Sequence, residues 1–208
     1  MEPDSALALP PYRPSLVPEG RSGNWTLTKL RLPERAAASV IDLRPDAFRF
    51  RPGEYTELRH GGVTFMTDLY DEWWTQRRAI ERARQVGGNV LITGLGLGMV
   101  VEAILAQPPL APVGVVTVIE QSADVIHLVA PHLQHQFGDR VAIIQGDAYH
   151  WRPATNVHFD TVWHDIWPDP DADSVDGDVA RLLEHHRPWS NWQGFWPIDY
   201  REALAGRL

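Results

Sequence analysis

Three observations predict an α/β fold, a Rossmann-like doubly wound and mostly parallel sheet. Apolar runs of strand length recur at residues 89–93, 113–119, 141–144 and 159–163, and helix-patterned segments alternate with them. The second run is almost continuous valine and isoleucine, as expected of a strand covered by helices on both faces. Each run ends in a glycine or polar cluster, and doubly wound sheets bind their ligands at the carboxyl ends of the strands.

The 208-residue chain predicts one main domain with a modest appendage. Residues 1–24 carry five prolines and few large apolar side chains, which predicts an extended, poorly ordered tail. Residues 25–66 read as a small β-rich region with strands at 25–32, 47–51, 55–59 and 63–66. The last two, joined by His60-Gly61-Gly62, form a hairpin pattern. Residues 67–208 make up the main domain.

Its first helix starts at a cap supplied by Asp68 or Asp71 and runs to about Gln85, with Trp74, Ala79, Ile80 and Ala83 as its buried stripe. Gly87-Gly88 ends it. Arg77, Arg78, Arg82 and Arg84 then face mostly water. After the first strand of the sheet, a helix from Met99 stops at Pro108-Pro109. Ser122 caps the next, where Pro131 kinks the helix or starts a separate turn. Beyond the fourth strand come an Asp-rich loop, a helix at 175–186, a segment with three tryptophans at 187–197, and a short helix at 199–205.

Composition narrows the function. A net charge of -8 argues against broad nucleic-acid binding, because a phosphate-tracking surface is basic. The absence of cysteine removes disulfides, thiolate metal sites and thiol catalysis, and agrees with a reducing compartment. No apolar run reaches the roughly 20 residues of a membrane span, and the first residues lack an export-signal pattern, so the expected location is the cytoplasm with no membrane partner. The sequence has no G-x-x-x-x-G-K-[ST], G-x-S-x-G or HExxH motif, and its Asp-rich run places Ser174 and Ala180 where an EF-hand needs glycine and glutamate. No metal is assigned.

The chemistry concentrates at the strand ends. Gly94, Gly96 and Gly98 follow the first strand and precede a helix; they allow positive φ and close approach of a ligand to the backbone. Glu120 lies 26 residues beyond Gly94 at the end of the next strand, with Gln121 beside it, where a carboxylate accepts both hydroxyl protons of a ribose. Asp147 ends the third strand, placed to accept from an adenine amino group, and Ala148 supplies a backbone N–H. Asp165 and His164 end the fourth.

In order and spacing, VLITGLGLG, VTVIEQS and QGDAY resemble the first three motifs of class I S-adenosylmethionine-dependent methyltransferases. Within that superfamily, residues 55–170 are most similar to the spermidine-synthase-like branch. Thr67-Asp68 with Asp71-Glu72 resembles its T-E-x-D-E stretch with one residue extra, and Asp165 matches the first carboxylate of its D-x-x-D motif. The D-I-W-P and W-Q-G-x-W segments also look like uncharacterised phage and bacterial proteins grouped with methyltransferases. The resemblance implies S-adenosylmethionine as cofactor over Gly94, Gly96 and Gly98, and Asp165 or His164 as the group that orients or deprotonates a methyl acceptor of unidentified structure. Leu97 stands where the branch keeps an aspartate for decarboxylated S-adenosylmethionine, and Pro168 where it keeps its second carboxylate. Both departures disfavour the alternative of an aminopropyltransferase. The chain after the fourth strand is too short for the family's seven-stranded sheet, so the tryptophan segment is expected to fold over the sheet and to share apolar surface in a homodimer. That shortening also supports a third reading, a cofactor-fold binding or assembly module without catalysis.

Overall fold

The computed structural model describes residues 10–33, 52–106, 110–167 and 175–196. The N-terminal strands β1 (Gly20–Ser22), β2 (Trp25–Leu32), β3 (Gly53–His60) and β4 (Val63–Thr67) form an antiparallel sheet in chain order. The Gly61-Gly62 turn between β3 and β4 has φ of 58° and 84°, the two positive values a tight hairpin turn requires. Leu27 and Leu58 turn inward from this sheet and join the main core. The strand predicted at 47–51 lies outside the described residues.

The tail prediction is corrected for residues 10–24. Their prolines do keep residues 10–19 out of regular structure, yet Val17 is fully buried and residues 20–22 form β1. Polar contacts to Asp68 help anchor the segment: the Ser15 N–H donates to Asp68 Oδ2 at 2.7 Å and the Tyr12 hydroxyl to the Asp68 carbonyl at 2.5 Å. Prolines rule out a helix; they leave an extended segment free to bury a valine and to satisfy its polar groups on a buried carboxylate.

The predicted single helix is two, α1 (Tyr70–Thr75) and α2 (Arg77–Val86), meeting at Gln76. Neither proposed cap is used. Leu69 stands at the N-cap without a side-chain bond, while Asp68 is buried and accepts from the backbone of Ser15 and of Thr56. In the stripe, Ala79, Ile80 and Ala83 are buried as expected, with Trp73 deeper than Trp74. Arg84 is corrected as well. It is only 3% exposed, and its guanidinium donates to the carbonyls of Ala103 and Ile104. Those carbonyls belong to the last turn of α3 (Met99–Leu105), where the helix itself supplies no donors.

The main sheet has five strands, all parallel: β5 (Gly88–Thr93), β6 (Val113–Glu120), β7 (Val141–Gln145), β8 (Thr161–His164) and β9 (Gln193–Phe195), in the order β7-β6-β5-β8-β9. Helix α3 joins β5 to β6, α4 (Ala123–Phe137) joins β6 to β7, and α5 (Val175–His186) leads from β8 towards β9. Ser122 caps α4 as predicted, accepting from the Val125 N–H. Pro131 neither stops nor divides this helix. The buried stripe of Val125, Val129, Ala130 and Leu133 holds it together on both sides of the missing N–H.

Strand β9 was not foreseen as a strand. The tryptophan segment does fold back over the sheet, and it also extends it, with Gln193, Gly194 and Phe195 pairing beside Val162, Trp163 and His164. Gly194 is fixed by packing: a Cβ there would lie 2.4 Å from Trp192 and 2.7 Å from Trp163. All three tryptophans of the segment are engaged within the chain. Trp189 donates to His186 Nδ1, Trp192 stacks parallel to Trp163, and Trp196 donates to Thr75 Oγ1. The helix predicted at 199–205 lies outside the described residues. Among the described residues no helix is long and apolar enough to cross a membrane.

Candidate functional site

A cleft of about 990 Å³ opens at the carboxyl ends of the parallel strands. Strand order reverses direction around β5, the position at which such sheets offer a crevice to ligands. Gly94, Gly96, Glu120, Gln121, Asp147, Ala148 and Asp165 all line it. Gly98 and His164, also predicted for the site, do not.

The glycines owe their identity first to the protein itself. Gly94 has φ of 94°, and a Cβ would come within 1.9 Å of the Asp165 carbonyl oxygen, so the ends of β5 and β8 can cross only over a glycine. A Cβ on Gly96 would meet Met66 Sδ at 2.4 Å, and the neighbouring Leu97 N–H points at the same sulfur at 3.2 Å. Gly98 is the N-cap of α3 and packs on Leu133, away from the large cleft. Leu97 is buried in the core, so no side chain at that position reaches the cleft.

Glu120 binds both loops that flank it. One oxygen accepts from the Leu95 N–H at 2.9 Å and the other from the Ser122 N–H at 2.7 Å. A carboxylate has about four acceptor directions, so each oxygen keeps capacity for a hydroxyl in the cleft. Gln121 is exposed at the rim. Asp147 accepts from the Tyr149 N–H at 2.9 Å and lies 2.7 Å from His150 Nδ1; the Tyr149 bond, with help from His150, holds its carboxyl below the usual range. Ala148 is buried, and its carbonyl accepts from His186 Nε2 at 2.9 Å.

Asp165 reaches the cleft just past β8, its N–H bonded to the Thr93 carbonyl. Its Oδ2 accepts from Gln76 Nε2 at 2.9 Å, and Gln76 Oε1 in turn accepts from Trp163 Nε1 at 2.6 Å. Because an indole can only donate, it fixes which end of the Gln76 amide faces Asp165. Burial pushes the Asp165 carboxyl up to about 7, against the pull of the Gln76 bond and with some help from the charge of Glu120. Glu72 lines the same cleft. Its Oε2 accepts from the N–H and the hydroxyl of Thr67, and burial raises it to about 8, with the charges of Asp165 and Asp68 adding to the shift.

Sequence reasoning gave no role to Glu72 or Gln76. The resemblance had named Asp71-Glu72 within a stretch, and that was the only signal; the helix break that aims Gln76 inward leaves no trace in local pattern.

His164 is corrected. It is fully buried, with Nδ1 3.0 Å from Thr93 Oγ1 and Nε2 3.0 Å from Gln193 Oε1. Gln193 Nε2 donates to the Leu183 carbonyl, so its oxygen faces the ring, and the network assigns the imidazole proton to Nε2. Burial drives this histidine down to about 3. It is a neutral core group that pins β9 to β8, and it has no path to a ligand. Trp163 is likewise fully buried, whereas Trp167 lines the cleft.

No family model matches the chain, and no curated protein does. Solved structures do share part of its architecture. An S-adenosylmethionine-dependent methyltransferase from Clostridium acetobutylicum aligns at 13% identity over 60% of this chain and 49% of its own, with a TM-score of 0.44. The magnesium protoporphyrin IX methyltransferase of Synechocystis, solved with bound S-adenosylhomocysteine, aligns at 13% identity over 59% and 54%, with a TM-score of 0.40. An N-methyltransferase from Bradyrhizobium japonicum aligns at 12% identity over 61% and 68%, with a TM-score of 0.46. The chain thus spans about half the length of the first two.

Proposed function

We propose that this protein is an S-adenosylmethionine-dependent methyltransferase. The observation that carries the reading is the convergence on one cleft of a glycine turn after β5, a carboxylate with spare acceptor capacity after β6, an Asp-Ala pair after β7, and a carboxyl titrating near neutrality after β8. The residues fit the cofactor. Glu120 would accept the ribose hydroxyls, the Asp147-Ala148 turn would border the adenine, and the turn at Gly94 and Gly96 would border the methionine portion. When bound, the cofactor would supply an electrophilic sulfonium methyl for transfer to an acceptor lone pair.

The protein's own work is to orient the acceptor and remove its proton. Asp165 is the base. The Gln76–Trp163 chain fixes its carboxylate, and Glu72 lines the same cleft. Burial is the main cause that raises both carboxyls.

Calorimetric titration with S-adenosylmethionine tests the reading. Charge-assisted hydrogen bonds are worth about 1.5–3 kcal/mol each, so Glu120→Ala should weaken binding by one to three orders of magnitude. Because this change also frees the Leu95 and Ser122 N–H groups, a melting curve must show that the variant is folded. An unchanged dissociation constant in a folded variant refutes the assignment.

A further inference from the structure

The cleft has room for a second molecule, and its walls differ in chemistry. Its volume of about 990 Å³ stands at the top of the roughly 300–1,000 Å³ spanned by small-molecule sites. Residues after β6 and β7 bear the nucleoside-type polar groups. The N-terminal sheet contributes a wall of rings. Trp25 packs edge-on to Phe65 at 5.0 Å and lies 4.5 Å from His60 at a tilt of 35°, and all three line the cleft. Pairing of Trp25 with His60 across β2 and β3 fixes the group in place. Phe65 remains 39% exposed, so the wall presents open ring surface on which a flat ring can pack offset or edge-on.

Charge narrows the occupant further. The described lining residues include Asp71, Glu72, Glu120, Asp147, Asp165 and Asp178, with neither lysine nor arginine. An anionic acceptor would meet repulsion and find no counter-ion among them. At the floor, burial raises the Asp165 and Glu72 carboxyls towards neutral pH, so neither is a fixed negative charge, and the Asp165 carboxylate, once ionised, readily takes up a proton. That suits an acidic hydroxyl better than a permanent ammonium.

On the methyltransferase reading above, we infer that the acceptor is an uncharged aromatic hydroxyl compound, its ring packed on Trp25 and Phe65 and its hydroxyl directed at the Asp165–Glu72 floor. In the transfer the hydroxyl proton goes to the Asp165 carboxylate. The phenolic oxygen forms the new bond to the methyl carbon, and the electron pair of the broken bond leaves with sulfur.

The test is calorimetry on the full chain with three probes, 2-naphthol, 2-naphthoate and putrescine, each with and without saturating S-adenosylhomocysteine. The expected result is that 2-naphthol binds with S-adenosylhomocysteine present, that 2-naphthoate and putrescine bind at least tenfold more weakly, and that Trp25→Ala weakens 2-naphthol at least tenfold while leaving S-adenosylhomocysteine affinity unchanged. Phe65→Ala, at an exposed position in the hairpin, serves as the second variant if Trp25→Ala melts early, and should cost at least threefold. Competition between 2-naphthol and S-adenosylhomocysteine would place the ring wall over the nucleoside and overturn the inference. Equal binding by both variants, or tighter binding of putrescine, would do the same. Should 2-naphthol bind a protein that ignores S-adenosylhomocysteine, the ring subsite stands and the methyltransferase reading falls; the reverse pattern removes the subsite alone.

Discussion

Glu72 and His164 illustrate how burial decides what a titratable side chain can do, and they act on stability in opposite directions. The folded-state values of Glu72 and Asp165, about 8 and about 7, lie above the roughly 4 of an unfolded carboxylate. Their contribution to stability is full below about pH 4 and is lost as pH rises through those folded values. His164 and His186, pushed by burial to about 3 and about 4, contribute fully above the unfolded value near 6.5 and lose that contribution as pH falls. Between pH 6.5 and 8.5, of these four groups only the carboxylates titrate in the folded protein, so their effect is a falling melting temperature. In Glu72→Gln the amide oxygen can still accept both Thr67 bonds, and no charge needs to be buried. Its melting temperature should exceed the parent's by several degrees at pH 8.5, with the gap closing towards pH 5. A gap independent of pH would contradict the assigned shift. Position along a strand explains what the sequence revealed here. Gly94, Glu120, Asp147 and Asp165 were legible because each sits just past an apolar run. His164 was misread because it is still inside β8, one residue before the chain turns out of the core.

At the level of elements, the parallel strands were readable from continuous apolar runs, while their order and the elements made by tertiary contact were not. Gln193-Gly194-Phe195 has no strand signature; it pairs because Trp192 and Trp163 stack and His164 bonds Gln193. The break between α1 and α2 was equally silent, since Gln76 is a good helix former whose side chain is claimed by Trp163 and Asp165. The crossing of β5 and β8 offers a direct check. Gly94→Ala would place a methyl on the Asp165 carbonyl and also impose a backbone region that costs an L-residue on the order of 1–2 kcal/mol. It should lower the melting temperature and weaken S-adenosylmethionine together, because the carbonyl that must move belongs to Asp165. A variant that melts like the parent would show that the strand ends are less tightly crossed than described.

For the whole molecule, the N-terminal sheet, the parallel sheet and the tryptophan segment share one core, in which Val17, Leu27, Leu58, Val90 and Trp163 all take part. Removing residues 188–208 would strip β9 from the edge of β8 and uncover Trp163. The truncated chain should be largely insoluble or associate on gel filtration, as expected of an exposed parallel edge beside a large apolar ring. A soluble truncated chain with an unchanged melting temperature would show that β9 is not the cover. The central position of β5 also bears on synthesis. Its first neighbour, β6, follows soon after, but its second, β8, comes late: Thr93 and His164 are separated by 71 residues. While the chain is being made, one edge of the central strand waits through the translation of α3, β6, α4 and β7 with nothing beside it. Non-local parallel pairing of this kind closes slowly and leaves sticky intermediates. Ribosome-stalled chains ending near residue 150 should therefore engage chaperones far more than chains that extend past β9, and recombinant yield should depend more on growth temperature than on inducer.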